Sequence, residues 1–137
     1  MKILTKNTDY ATRALLVLAS CPEKYFSARD IAKNQGMPYS FTRKILTELH
    51  KNGYVVSREG GGGGFKLKGD ASKIRITDLI KVFQGEIKLS ECMFRKKICR
   101  NRPDCVLRRN IERIEKLVEN EFGNISIGSL LKDLRKK

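Results

Sequence analysis

Five consecutive glycines, Gly60 to Gly64, separate Tyr54-Val55-Val56-Ser57 from Phe65-Lys66-Leu67-Lys68. Glycine loses more backbone freedom on ordering than any other residue, so such a run belongs to neither a helix nor a strand interior. β-branched apolar residues before it, and an apolar–basic alternation after it, read as two strands. The segment is therefore a hairpin with a long glycine tip. One or two residues at positive φ suffice for a hairpin turn, so five glycines exceed that need. The surplus leaves a tip without side chains. Its backbone at Gly61, Gly62 and Gly63 can approach a phosphate or enter a narrow groove. A nucleotide-binding glycine loop would instead feed a helix, and here the run feeds a strand.

The rest of the chain reads as helices. Residues 8 to 20 repeat Tyr10, Ala14, Leu15, Leu18 and Ala19 at helical spacing before Pro22. Cys21, at the end of this helix, reads as a small core residue. Ser27 opens a short second helix, with Asp30 completing a capping box. It carries Ile31 and Ala32 inward and stops near Gly36. Pro38 begins a third helix in its first turn, with Phe41, Ile45, Leu46 and Leu49 as its apolar stripe and Asn52-Gly53 as its close. Beyond the hairpin, Ile76, Leu79, Ile80 and Phe83 mark a fourth helix ended by Gly85. From 105 to 122 a long amphipathic helix carries Leu107, Ile111, Ile114, Val118 and Phe122 at nearly coiled-coil spacing. A short helix near 126 to 135 follows.

The expected fold is mainly α with a small β-hairpin wing: a winged helix-turn-helix followed by a long C-terminal helix. Residues 1–85 form the winged unit, 86–105 a cysteine-bearing loop, and 106–137 the long helix and tail, all in one compact body. Helix, short turn, helix and hairpin is the order that places a recognition helix in the DNA major groove. Away from the Ile45/Leu49 stripe lie Tyr39, Ser40, Arg43 and Lys44. Arg43 can pair bidentately with a guanine, and Ser40 can contact a base or a phosphate. Arg58, beside the glycine tip, can insert into the minor groove, where the potential is most negative. A net charge of +14 agrees with a polyanionic partner.

Other classes are disfavoured. The longest apolar run, Ala14 to Ala19, is far too short for a bilayer. The first seven residues lack a signal-peptide core. A cytoplasmic protein without a membrane partner is expected. No paired carboxylates, nucleophile motif or usable histidine suggests an enzyme; the only histidine, His50, sits late in the recognition helix.

Three of the four cysteines fall within fourteen residues: Cys92, Cys99 and Cys105, with six and then five residues between them. This is not the C-x-x-C pairing of common zinc fingers. It suits an open loop around a larger object. Arg95, Lys96, Lys97, Arg100, Arg102, Arg108 and Arg109 surround the triad, opposed within 95–109 only by Asp104. Positive surroundings favour thiolates and offset the charge of a thiolate-ligated cluster. On spacing alone, a cluster, a zinc ion and a bare thiol switch stand level. Three thiolates leave a fourth position open, for which Asp104, Glu91 and Asp9 are oxygen donors.

The motifs together resemble the Rrf2 family of bacterial winged-helix regulators over nearly the whole chain. Leu4-Thr5-Lys6-Asn7-Thr8-Asp9-Tyr10-Ala11 is similar to the family's opening, and Ile45 to Val55 to its recognition-helix end. Gly61 to Phe65 is similar to its glycine-rich wing. Ile76-Thr77-Asp78-Leu79-Ile80 with Gly85-Glu86 resembles its next signature. The cysteines fall where cluster-binding members carry theirs. The resemblance implies a homodimer built on the long helix and a palindromic double-stranded operator. It implies an iron–sulfur cluster whose assembly, loss, reduction or nitrosylation switches DNA affinity. Two departures bear on the cluster. The Cys92–Cys99 spacing is one residue longer than in IscR-like members, and Val106-Leu107-Arg108 stands where those carry a histidine. Asp9 matches the place where NsrR-like members offer an acidic ligand from the partner subunit. The resemblance thus leans towards nitric-oxide sensing, with a 4Fe-4S cluster favoured over 2Fe-2S and Asp9 as its fourth ligand in trans. The alternative is a metal-free winged-helix regulator of the CymR-like kind, controlled by a partner protein, a metabolite or cysteine oxidation.

Overall fold

A computed structural model describes residues 3–89 and 105–136. The first helix, α1 (Lys6–Ser20), starts two residues before its apolar pattern because Thr5 caps it. The Thr5 hydroxyl accepts the Thr8 N–H at 3.4 Å, satisfying one of the orphan donors of the first turn. Ser27 caps α2 (Ala28–Gln35) in the same way, accepting the Asp30 N–H at 3.1 Å. Gly36 closes α2 in the left-handed conformation, φ 64°, where a β-carbon would be strained. Pro38 stands one residue ahead of α3 (Tyr39–Lys51) and not within its first turn. Gly53, at φ 80°, turns the chain out of α3 and into the hairpin.

Strands β1 (Val55–Arg58) and β2 (Gly64–Leu67) pair antiparallel, from Val55 opposite Leu67 to Arg58 opposite Gly64. A third stretch, which the sequence pattern does not reveal, joins them. Phe26 exchanges both backbone hydrogen bonds with Phe65, at 2.8 and 2.7 Å. The wing is thereby fastened to the residues leading into α2. A short 3-10 turn (Ala71–Lys73) leads to α4 (Ile76–Phe83). The long α5 (Val106–Gly123) and α6 (Ile127–Arg135) complete the described chain.

One core unites these elements. Leu15 and Leu18 of α1, Ile31 of α2, Leu46 and Leu49 of α3, Leu79 and Ile80 of α4 and Ile127 of α6 are fully buried together. Each such side chain is worth about 1.5–3 kcal/mol of transfer free energy. Buried Thr8 is satisfied: its hydroxyl donates to Gln84 Oε1 at 2.6 Å. Gln84 also accepts the Thr5 N–H at 3.0 Å and donates to the Ile3 carbonyl at 2.8 Å, tying residues 3–8 to the end of α4.

The far end of α5 is clamped. Arg75 Nη1 donates to the Gly123 carbonyl at 2.8 Å, and the Ile76 and Ile127 N–H groups donate to the Ile125 and Ile74 carbonyls at 2.9 and 2.8 Å. Along α5 itself no residue is buried. Leu107 is 67% exposed and Ile114 40%, so the expected apolar stripe faces outward from its own chain at these two positions, and Leu117, outside that stripe, is 54% exposed beside them.

Two expected core residues lie outside the core. Cys21 is the exposed C-cap of α1; the helix ends before it, and the apolar face has already turned away. Phe41 is 43% exposed. Thr42 takes the inward place instead, its hydroxyl bonded to the Pro38 carbonyl at 2.9 Å, while Phe41 meets Tyr10 edge-on at 6.3 Å.

Candidate nucleic-acid interface

The outer face of α3 carries Tyr39, Ser40, Arg43 and Lys44, all exposed. They are brought together because Ile45, Leu46 and Leu49 hold the opposite face in the core. No side chain caps α3, so its first-turn N–H groups lack intrahelical partners and suit an anionic acceptor. Ser40 stands in that turn.

Tyr39 is more than a contact residue. The Arg29 guanidinium of α2 lies 4.8 Å from its ring centre, and Arg43 Nη1 reaches its hydroxyl at 3.5 Å. The tyrosine thus gathers one cation from each helix of the motif. Lys44 lies 6.0 Å from the Phe41 ring, which accounts for an exposed aromatic on this face. Arg29 escaped the sequence reading. Its signal was the interleaving of aromatic and basic residues in Lys24-Tyr25-Phe26 and Arg29, just ahead of and inside α2.

At the wing, Arg58 Nη2 donates to the Gly62 carbonyl at 2.9 Å, and its guanidinium lies 4.1 Å from the Tyr25 ring centre. The glycine run proves less of a surplus than its length suggests. Gly60, Gly62 and Gly64 have positive φ. A β-carbon on Gly63 would collide with the Arg58 carbonyl, and one on Gly64 with the Phe26 carbonyl. Only Gly61 combines open space with an ordinary φ. The backbone therefore demands four of the five, and side-chain removal at the tip follows from that demand.

Of the expected metal ligands, Cys105 and Asp9 are described. Cys92 and Cys99, with Glu91 and Asp104, lie outside the described residues. Cys105 is the N-cap of α5, half-buried, its Sγ accepting the Arg108 N–H at 3.4 Å. A sulfur takes the place usually held by a serine or aspartate oxygen. Asp9 is exposed and ion-paired with Arg13 at 3.1 Å. Exposed His50 lies 3.4 Å from Ser57 Oγ, at the junction of α3 and the wing. Among the described residues no three histidines, cysteines or acids gather as a metal site, and no helix is long and apolar enough to cross a membrane.

A family model described as "Rrf2: Iron-dependent Transcriptional regulator" matches residues 4–133. A protein of Aquifex aeolicus (strain VF5), assigned as an HTH-type transcriptional regulator, is 31% identical over 131 residues, covering 94% of this chain and 91% of the relative. The solved structure of T. potens IscR superposes with a TM-score of 0.77 at 25% identity, covering 98% of this chain and 88% of that one. CymR of B. subtilis shares the fold, with a TM-score of 0.76 at 20% identity over 96% and 98% of the two chains.

Proposed function

The chain belongs to the Rrf2 family of transcriptional regulators, and we propose that it binds a palindromic operator as a homodimer under the control of an iron–sulfur cluster. It is a regulator and not an enzyme. In this reading α3 enters the major groove, with Arg43 and Ser40 towards base edges and Tyr39 and Lys44 supporting them. Arg58 and the backbone of Gly61, Gly62 and Gly63 meet the adjacent minor groove. The outward apolar residues of α5, Leu107, Ile114 and Leu117, form the contact between protomers.

The observation that carries the cluster is the place of Cys105. A soft sulfur donor sits half-buried at the head of the helix assigned to the dimer contact, fixed by a main-chain N–H. This donor chemistry fits iron, and Cys92 and Cys99 complete the ligand triad. When bound, the cluster supplies iron that reacts with nitric oxide or oxygen. Asp9 of the partner subunit is the fourth ligand, consistent with 4Fe-4S over 2Fe-2S. Its present bond to Arg13 is an exposed ion pair, worth about 0–1 kcal/mol, and is readily exchanged. A carboxylate is a harder donor than a thiolate, so that corner of the cluster is the least firmly held.

Anaerobic purification with iron and sulfide counts tests the reading. Cys92→Ser, Cys99→Ser and Cys105→Ser should each lose the cluster, and Cys21→Ser should keep it. Asp9→Ala should alter the visible spectrum and its response to nitric oxide, whereas Asp104→Ala should not. A colourless protein with all cysteines intact, binding DNA equally well with and without oxidant, would favour the metal-free regulator.

A further inference from the structure

Tyr25, in the connection between α1 and α2, belongs to neither the recognition helix nor the wing tip. Yet two cations of the wing converge on its ring: Arg58 at 4.1 Å from the centroid and Lys66 at 5.2 Å. Arg58 ends β1, and Lys66 lies on β2 opposite Val56. The ring is therefore shared by both strands of the hairpin. We propose that Tyr25 is a positioning residue for the wing, holding the Arg58 guanidinium ready to enter the DNA minor groove. The proposal rests on the DNA reading above and names a determinant of affinity that touches no DNA itself.

The physical case has three parts. An exposed arginine has several rotatable bonds and forfeits their freedom when it binds in a groove. Here the tyrosine ring and the Gly62 carbonyl, 2.9 Å from Nη2, restrain the guanidinium before DNA arrives. A guanidinium carries five N–H donors, so the single bond to Gly62 leaves donors for base-edge and sugar acceptors. Next, Arg58 and Lys66 repel one another, and the negative face of the ring attracts both, which concentrates positive charge at the wing. Finally, the ring is held in place by its neighbour: Phe26 is bonded through its backbone to Phe65 of β2. Tyr25 thus moves with the hairpin it serves.

The test compares Tyr25→Leu, Tyr25→Phe, Arg58→Ala and the Tyr25→Leu/Arg58→Ala double variant. The probe is a short duplex enriched by the wild-type protein from a randomised pool. Tyr25→Leu should weaken binding by about 3- to 10-fold, in keeping with the loss of exposed cation–π contacts. Tyr25→Phe keeps the ring and should stay within about 2-fold of wild type. In the Arg58→Ala background, Tyr25→Leu should cost no more than about 2-fold, the remainder held by Lys66. In the free protein, the ring-current shift of the Arg58 side chain should vanish in Tyr25→Leu and persist in Tyr25→Phe. Equal losses from Tyr25→Leu in both backgrounds, or an Arg58 signal indifferent to the ring, would overturn the role of Tyr25 and leave DNA binding standing. A wild-type protein that enriches no duplex would overturn the DNA reading and the proposal with it.

Discussion

Tyr54 links the recognition helix to the wing through its backbone: its N–H donates to the Leu49 carbonyl at 3.0 Å, and its carbonyl accepts the Lys68 N–H at 3.2 Å. Burial, and secondly the Asp78 carboxylate, push its phenol above the ordinary value near 10. A raised folded-state pKa means that the neutral phenol is favoured in the native protein. That contribution is fully present below the unfolded pKa near 10 and is lost as pH rises through the higher folded value. Denaturant titrations between neutral and strongly alkaline pH should show wild type losing stability relative to Tyr54→Phe as pH climbs past 10. A difference between the two proteins that stays constant across that range would contradict it. Tyr39 and Tyr25 share a different trait: each ring gathers two basic groups. In a sequence, an arginine beside a helix start says nothing of the ring it will lie against. That is why the sequence offers Arg43 and Arg58 as candidate contacts and is silent on Arg29 and Tyr25.

At the level of elements, what was legible follows from local chemistry. Ser27 at the head of α2, Asn52-Gly53 after α3 and Gly85 after α4 announce their helices because each serves an adjacent backbone group. What was not legible depends on distant partners. Phe41 matches an apolar period, but the inward place goes to Thr42, whose hydroxyl finds the Pro38 carbonyl. The pairing of Phe26 with Phe65 spans two helices of sequence and has no local signal. That pairing also explains the last glycine of the wing. Gly64 sits at φ 143°, and any β-carbon there meets the Phe26 backbone. Gly64→Ala should therefore cost about 1–3 kcal/mol and detach the wing. Gly61→Ala, in open space at an ordinary φ, should change stability by no more than about 0.5 kcal/mol. Thermal melts of the two variants, with amide exchange at Phe65, separate the cases; equal destabilisation would refute the assignment.

For the whole molecule, a charge of +14 on 137 residues makes affinity for a duplex depend on counterion release. Each phosphate neutralised contributes a slope of about −0.9 in log affinity against log salt. If the winged unit meets six or more phosphates, its affinity should fall about a thousandfold or more between 50 and 200 mM salt. Fluorescence anisotropy over that range measures the slope, and a flat response would place the recognition surface elsewhere. The charge and the helical architecture were both readable from the residues. The outward face of α5 was readable only as a seam; the fold adds that its own core leaves Leu107, Ile114 and Leu117 uncovered.

The Phe26–Phe65 fastening has a bearing on the DNA itself. It joins the hairpin to the residues that lead into α2, and α2 packs on α3. The two probing parts therefore form a calliper with a set jaw width. A duplex gripped as proposed, by α3 and the wing together, would have to conform to the gap that this fastening sets. Base steps between the major-groove and minor-groove contacts would then be selected for how cheaply they bend or narrow. Sequence preference should extend to positions that no side chain reaches, and it should weaken there when the fastening is loosened.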